Sequence, residues 1–396
     1  MNAVVVGYAR TPFVKAATSP GGGAFAEVPA TALGAHAVAA ALERAGVAPD
    51  EVDRVVGGQV LQAGAGQNPA RQSAVGAGIP LTVPAITLNA VCLSGLEAVA
   101  EGARMIADGR ARVVVAVGQE SMSLAPHAWP GSRLGKRYGA IEFLDTMDHD
   151  GLTDAFEHRS MGASTEDRNA ANRVTRADQD AWAALSHARL EAGAGFLEGE
   201  IAPFTTPGRR GRTVSADDGL RPGTTAETLA ALRPAFSAEG GITAGNSSQI
   251  TDGAAAVVLM AEGLAQERSV RPLARVLASS FVAGPDVSLH AQPANAALAA
   301  LLLADRETSE LQVVEINEAF AAVAVVSTRL LGVDPLIVNM NGGAIALGHP
   351  IGASGTRIAG HVARSLAALG PGSLGVAAIC GGGGQGAAVL LEAVEA

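Results

Sequence analysis

Short runs of β-branched and small apolar residues alternate with longer alanine-rich stretches of helical period along most of this chain. That alternation predicts an α/β architecture. Residues 4–7 and 55–57 read as strands, with a helix over 31–45 between them. A helix follows over 93–107, then a strand over 113–117 that is apolar on both faces. The C-terminal third repeats the theme, with strands over 313–316 and 374–379 and helices over 318–331 and 354–369. Asn89, Cys92, Gly95 and the strand ending at Gly118 parallel Asn341, His349, Gly355 and the strand ending at Gly381. The parallel suggests a duplicated unit about a pseudo-two-fold axis; chance likeness of two βαβ units is the alternative.

Between about residues 121 and 251 the pattern loosens. Histidine, proline, methionine and charge become more frequent, strand signals weaken, and a helix over 176–193 adjoins the turn-rich stretch 207–223. A segment this long without regular strands is more often a functional lid than a spacer. An apolar run over 253–260 then returns to core sheet, and Pro272 marks the change of half. Three parts are therefore expected: an N-terminal half of 1–121 plus 252–272, an inserted loop domain of 122–251, and a C-terminal half of 273–396.

Composition narrows the class. A chain of 396 residues exceeds what one core usually serves. Its 49 glycines accompany 48% hydrophobic residues, so they point to tight turns and close backbone approach rather than disorder. A net charge of −10 argues against nucleic-acid binding. There is no apolar run long enough for a membrane span, and Met1-Asn-Ala-Val-Val-Val-Gly reads as a strand rather than a signal peptide. Two distant cysteines fit a reducing compartment, so a cytoplasmic protein is expected.

Those two cysteines are the first candidates for chemistry. Cys92 lies where an extended run gives way to a helix, and Cys380 closes an apolar strand and opens Cys-Gly-Gly-Gly-Gly-Gln-Gly. Unpaired N–H groups at such junctions are expected to depress a thiol pKa. A buried structural cysteine is the competing reading in both places. His349, between Gly348 and Pro350, is either a turn residue or a general base for Cys92. The glycines after Cys380 lack a phosphate-loop or dinucleotide pattern and suit oxyanion-binding N–H groups. Asn317 is either the N-cap of the next helix or part of the site. Arg209, Arg210, Arg212 and Arg221 form a basic patch that is either solvated or a docking point for a phosphorylated ligand.

Taken together, these residues resemble the thiolase family over essentially the whole chain. The likeness is carried by Gly118-Gln-Glu-Ser-Met-Ser, Asn317-Glu-Ala-Phe-Ala, Asn341-Gly-Gly-Ala-Ile-Ala-Leu-Gly-His-Pro and Cys380-Gly-Gly-Gly-Gly-Gln-Gly, in that order. It implies a duplicated five-layer αβαβα fold with a large inserted loop domain, assembled as a dimer or a dimer of dimers. It also implies the reversible Claisen condensation of two acetyl-CoA to acetoacetyl-CoA and CoA, as in the bacterial acetyl-CoA acetyltransferase branch. No cofactor or metal is implied, coenzyme A being a substrate and product.

By the same resemblance Cys92 would carry the acyl group, His349 would activate it, and Cys380 would move the α-proton. Asn317 would hold a water that stabilises the enolate oxygen, and the N–H groups of Cys92 and Gly382 would form a second oxyanion site. CoA would lie against Arg221, Phe236, Ala244, Gly245 and Ser248, with Met161, Ala319 and Phe320 at the acyl end. Two departures from the family pattern stand out: Ser160 replaces a histidine common before Met-Gly, and Gln249 replaces a common glycine. The rival readings are a broad-chain 3-ketoacyl-CoA thiolase, a β-ketoacyl synthase, a silent acyl-CoA-binding subunit and a dinucleotide-binding protein. Cys380 in place of a second histidine weighs against the synthase. Retention of all the polar catalytic groups weighs against the silent subunit. The lack of a fingerprint after the first strand weighs against the dinucleotide binder.

Overall fold

The computed structural model describes residues 1–209 and 211–395; Arg210, part of the basic patch, lies outside the described residues. Five strands build the N-terminal half: β1 (Ala3–Arg10), β2 (Arg54–Gly58), β3 (Ala85–Leu88), β4 (Val113–Glu120) and β5 (Thr251–Ala261). They lie in the order β1-β5-β4-β2-β3, with β5 antiparallel to both neighbours and β4, β2 and β3 mutually parallel. The C-terminal half uses β6 (Ala274–Ala283), β7 (Leu311–Ile316), β8 (Leu374–Gly381) and β9 (Gln385–Glu392). Their order is β6-β9-β8-β7 with the same pattern of senses, and Val338 takes the fifth place by pairing in parallel with Val314. Topology therefore repeats strand for strand, as the sequence parallel suggested. The two sets join at β1 and β6 through the pairs Ala3–Val276, Val4–Arg275 and Val5–Ala274.

Helices complete the layers. They are α1 (Ala30–Ala45), α2 (Pro69–Gly76), α3 (Ser94–Ala107), α4 (Met161–Asn169), α5 (Arg176–Ala192), α6 (Gln292–Leu303), α7 (Ala321–Leu331) and α8 (Ile351–Leu369). α3 and α8 pack on each other between the sheets; α1 and α2 cover the outside of the first, and α6 and α7 that of the second. The result is the five-layer α/β arrangement. A Cβ on Gly355 would stand 2.1 Å from the Leu96 nitrogen, and one on Gly95 would stand 2.6 Å from the Gly352 oxygen. Only glycine at both positions lets the central helices approach this closely.

The inserted segment between β4 and β5 carries α4, α5 and several two-residue strand pairs. Buried charge fastens it to the core. Glu200 accepts from Arg10 Nε at 3.0 Å and from Tyr8 Oη at 3.3 Å, and it lies 2.5 Å from His361 Nδ1. Burial alone would raise the Glu200 pKa, but His361 and Arg10 hold it down to about 2. A second tie is Glu318, which accepts from Trp182 Nε1, Ser186 Oγ, Asn339 Nδ2 and Ile345 N at 2.7–3.1 Å.

One predicted element differs. The helix expected from residue 318 begins at Ala321 with Phe320 as its N-cap. The backbone before it bonds to the inserted segment instead, Ala319 O accepting from Ser248 N and Ala321 N donating to Asn246 O.

Candidate active site

Each half brings one loop to the same place. In the N-terminal half, the chain leaves β3 through a turn in which Val91 N donates to Asn89 Oδ1 at 2.9 Å and Ser94 Oγ donates to Val91 O at 2.6 Å. Val91 sits at φ 51, a conformation a β-branched residue holds at a cost of about 1–3 kcal/mol. That turn places Cys92 two residues before α3, at its N-terminal end. In the C-terminal half, His349 stands two residues before α8 in the matching position.

Helix-end and turn N–H groups were expected to depress the Cys92 thiol. They do not prevail. Burial pushes it up to about 12, while the N–H groups of Cys92 itself and of Gly382 point at the sulfur and pull the other way. Cys380 is likewise held well above its ordinary range, first by burial and then by Cys92 beside it. Desolvation of a fully enclosed thiolate outweighs two N–H dipoles.

His349 supplies the complement. Its Nδ1 lies 2.6 Å from Ser354 Oγ, and that hydroxyl donates to Pro350 O at 3.1 Å. Nδ1 is therefore the protonated nitrogen, and Nε2, buried without a protein partner, is the acceptor. Burial, then the Arg357 charge, lowers the imidazole to about 4, so it is neutral near pH 7. Asn317 follows β7 with its side chain fully buried, and neither amide atom meets a protein partner. It is not a helix cap, since α7 begins four residues later. Unpaired buried polar atoms cost roughly 1–3 kcal/mol each and are uncommon away from functional sites.

A small cavity of about 70 Å³ is walled by Cys92, His349, Met161, Ala319 and Phe320. It shares Met161, Ser248 and Phe320 with a longer cavity of about 660 Å³ that reaches Arg221, Phe236 and Ala244. Seven of the eight residues expected to bind CoA thus line one continuous channel. Gly245 does not: a Cβ there would meet Leu229 and Leu232 at 2.5 Å, so this glycine serves helix packing. Of the described residues of the basic patch only Arg221 is on the channel wall, because Arg209 and Arg212 belong to the turn between the strand pair Phe204–Thr205 and Thr213–Val214. Ser160 lines the channel, but its hydroxyl also caps α4 by accepting from Ala163 N at 3.2 Å.

The glycines after Cys380 divide their work. Gly383 and Gly384, at φ 76 and 69, turn β8 into β9, and a Cβ on Gly384 would lie 1.9 Å from Asp286 O. Gly382 turns its N–H to Cys92. Sequence reading marked Gln249 only as a departure from the family pattern; it lines both cavities, and its Nε2 donates to Gly219 O at 2.9 Å and Ile345 O at 3.0 Å. A larger cleft of about 940 Å³ lies near Glu262 and Glu392, at the opposite end of β5 from the site. It holds no nucleophile, and its Arg275 is paired with Glu262 and Glu392.

A thiol facing two N–H donors, a neutral imidazole with a free nitrogen, a second thiol and a channel leading to an arginine define an enzyme that transfers acyl groups. Comparison with known proteins agrees. The family models described as thiolase, N-terminal domain, and thiolase, C-terminal domain, match residues 3–263 and 270–393. A probable acetyl-CoA acetyltransferase of Mycobacterium tuberculosis is 51% identical over 99% of both chains. That of Mycolicibacterium smegmatis is 50% identical over 98% of this chain and 100% of its own length. The acetyl-CoA acetyltransferase of Shinella zoogloeoides is 45% identical over 99% of both. The chain belongs to the thiolase family.

Proposed function

We propose that this thiolase is an acetyl-CoA C-acetyltransferase, condensing two acetyl-CoA reversibly to acetoacetyl-CoA and CoA through an acetyl-Cys92 intermediate. The observation that carries the short-chain reading is the small acyl cavity, about 70 Å³, closed by Met122, Leu152, Met161, Phe320 and Ile351. Its relatives' names point the same way.

In this reading the Cys92 proton passes to His349 Nε2 as the sulfur attacks the thioester carbonyl. Separate ionisation is unfavourable. With the thiol near 12 and the imidazole near 4, both groups rest neutral near pH 7. Attack and proton transfer are therefore coupled, and the N–H groups of Cys92 and Gly382 receive the developing oxyanion. CoA leaves with the proton of the Cys380 thiol, which makes Cys380 the base of the second half-reaction. Cys380 then takes the α-proton of a second acetyl-CoA, whose enolate oxygen is held by His349 and by an Asn317-bound water. The enolate carbon attacks acetyl-Cys92, and the departing sulfur takes its proton back from His349 Nε2. Two half-reactions at one site make the kinetics ping-pong.

CoA-dependent thiolysis of acetoacetyl-CoA, measured beside 3-ketooctanoyl-CoA, tests the proposal. Fast cleavage of the short substrate alone supports it. Equal or faster cleavage of the longer one would replace it with a broad-chain 3-ketoacyl-CoA thiolase, and CoA binding without turnover would indicate a silent subunit.

A further inference from the structure

We propose that Lys15 is a second cationic anchor for the phosphates of coenzyme A, acting with Arg221 at the outer part of the channel. The inference rests on the reading above that the channel takes CoA esters. Coenzyme A carries a diphosphate and a 3′-phosphate, several negative charges in all, and here it must approach a protein of net charge −10. The charged side chains on the wall of the 660 Å³ channel are Lys15, Asp148 and Arg221. Arg221 alone leaves the wall neutral once Asp148 is counted. Arg209 and Arg212 do not make up the difference, since both are absent from the wall. Among the described residues Lys15 is the remaining cation on the wall.

Its backbone is held firmly and its ammonium is not. Lys15 pairs with Thr251 at the start of β5, and Ala16 N donates to Ile250 O at 2.9 Å, so the strand is knitted to residues of the channel wall. Lys15 N donates to Asp218 Oδ1 at 2.7 Å, and Gly23 N donates to Lys15 O at 2.9 Å. The following loop folds back tightly enough that a Cβ on Gly22 would meet Ala16 O at 2.3 Å. Ser19 and Pro20 of that loop also line the channel. Among the described residues the Lys15 ammonium makes neither a hydrogen bond nor an ion pair within 4 Å. Asp218 feels its charge, but the main influence on that carboxyl is burial. A half-buried stem on a fixed strand, ending in an unpaired point charge at a channel mouth, suits a phosphate group.

The test measures CoA binding by calorimetry and the KM for acetoacetyl-CoA in Lys15→Ala, Lys15→Glu and Lys15→Arg. A partly exposed ion contact predicts a three- to tenfold rise in Kd and KM for alanine, on the order expected of such pairs. Glutamate should do worse, arginine should restore binding, and the loss should fall in KM rather than kcat. The KM for acetoacetyl-pantetheine, which lacks phosphates, should not move. With dephospho-CoA, a retained penalty assigns the contact to the diphosphate and a lost penalty assigns it to the 3′-phosphate. Unchanged CoA affinity in Lys15→Glu overturns the proposal, as does an equal loss with acetoacetyl-pantetheine. Wild-type protein that binds no CoA would instead remove the functional reading on which it rests.

Discussion

The two halves share a topology, and the ends of equivalent strands can be compared across them. In the N-terminal half Gly58 pairs with Gly118 and Gly118 with Ala255; in the C-terminal half Ile316 pairs with Ala378 and Ala378 with Ala388. Gln59 and Glu120 stand at the ends of β2 and β4, Asn317 and Cys380 at the ends of β7 and β8, and the loops before α3 and α8 carry Cys92 and His349. These strand ends are used in opposite ways. Gln59 Nε2 donates to Leu61 O at 3.0 Å and its Oε1 accepts from Gln119 Nε2 at 2.9 Å. Glu120 accepts from Val60 N, Leu61 N and Gly352 N at 3.0–3.1 Å. Asn317 has no protein partner, and Cys380 is a buried thiol. One set of strand ends satisfies itself and holds the scaffold. The other stays unsatisfied and awaits substrate.

The largest effect separates the halves by reaction step. In the proposed mechanism Cys92 is the reactive side chain from the N-terminal half, so Cys92→Ala should remove the acetyl-enzyme and lower turnover by on the order of 10⁴-fold or more. Cys380→Ser should still acetylate at Cys92, read by intact mass after mixing with acetyl-CoA, while condensation is lost. Equal loss of acetylation in both variants would contradict the division.

A smaller effect sets the two strand-end amides against each other. Asn317→Ala removes a group with no protein partner, so urea stability should hold or rise slightly while turnover falls about 10²–10³-fold, the loss typical of an oxyanion-stabilising group. Gln59→Ala breaks two buried hydrogen bonds and should lose about 1–3 kcal/mol of stability. If Asn317→Ala destabilised as much as Gln59→Ala, the contrast between satisfied and unsatisfied strand ends would fail.

Much of this was legible along the chain. The apolar runs located the long strands, and the glycine contexts of Cys92, His349 and Cys380 located the loops that meet. The readings that failed depend on contacts far apart in sequence. Both thiols are shifted upward because distant layers enclose them, which no local motif encodes. The helix expected at residue 318 starts late because Ser248 and Asn246, some seventy residues earlier, take its backbone bonds. Gly245 was assigned to the CoA channel from the resemblance, and the basic patch was left open between solvent and a phosphorylated ligand; Gly245, Arg209 and Arg212 are absent from the channel wall. Glu120 lay inside a quoted motif, yet the three N–H groups it accepts from, one of them Gly352 in the other half, emerge only from the fold.

Glu120 also gives the smallest and most specific prediction. Burial raises its carboxyl from an ordinary 4.5 to about 7, against the three N–H groups that favour the charged form. A raised acid pKa means the folded state holds its proton over a range where the unfolded chain has lost it. The contribution to stability is complete below about pH 4.5, shrinks as pH rises, and is gone above about pH 7, a change of about 3 kcal/mol. Glu120→Gln cannot titrate. The stability of the natural protein relative to this variant should therefore fall by about that amount between pH 4 and pH 8, measured by urea unfolding at each pH. Other raised carboxyls, such as Asp252 and Glu315, are common to both proteins and cancel in the difference. A difference that stays flat with pH would mean that the three N–H groups, not burial, govern Glu120, and that the two halves are less alike in their desolvation than in their fold.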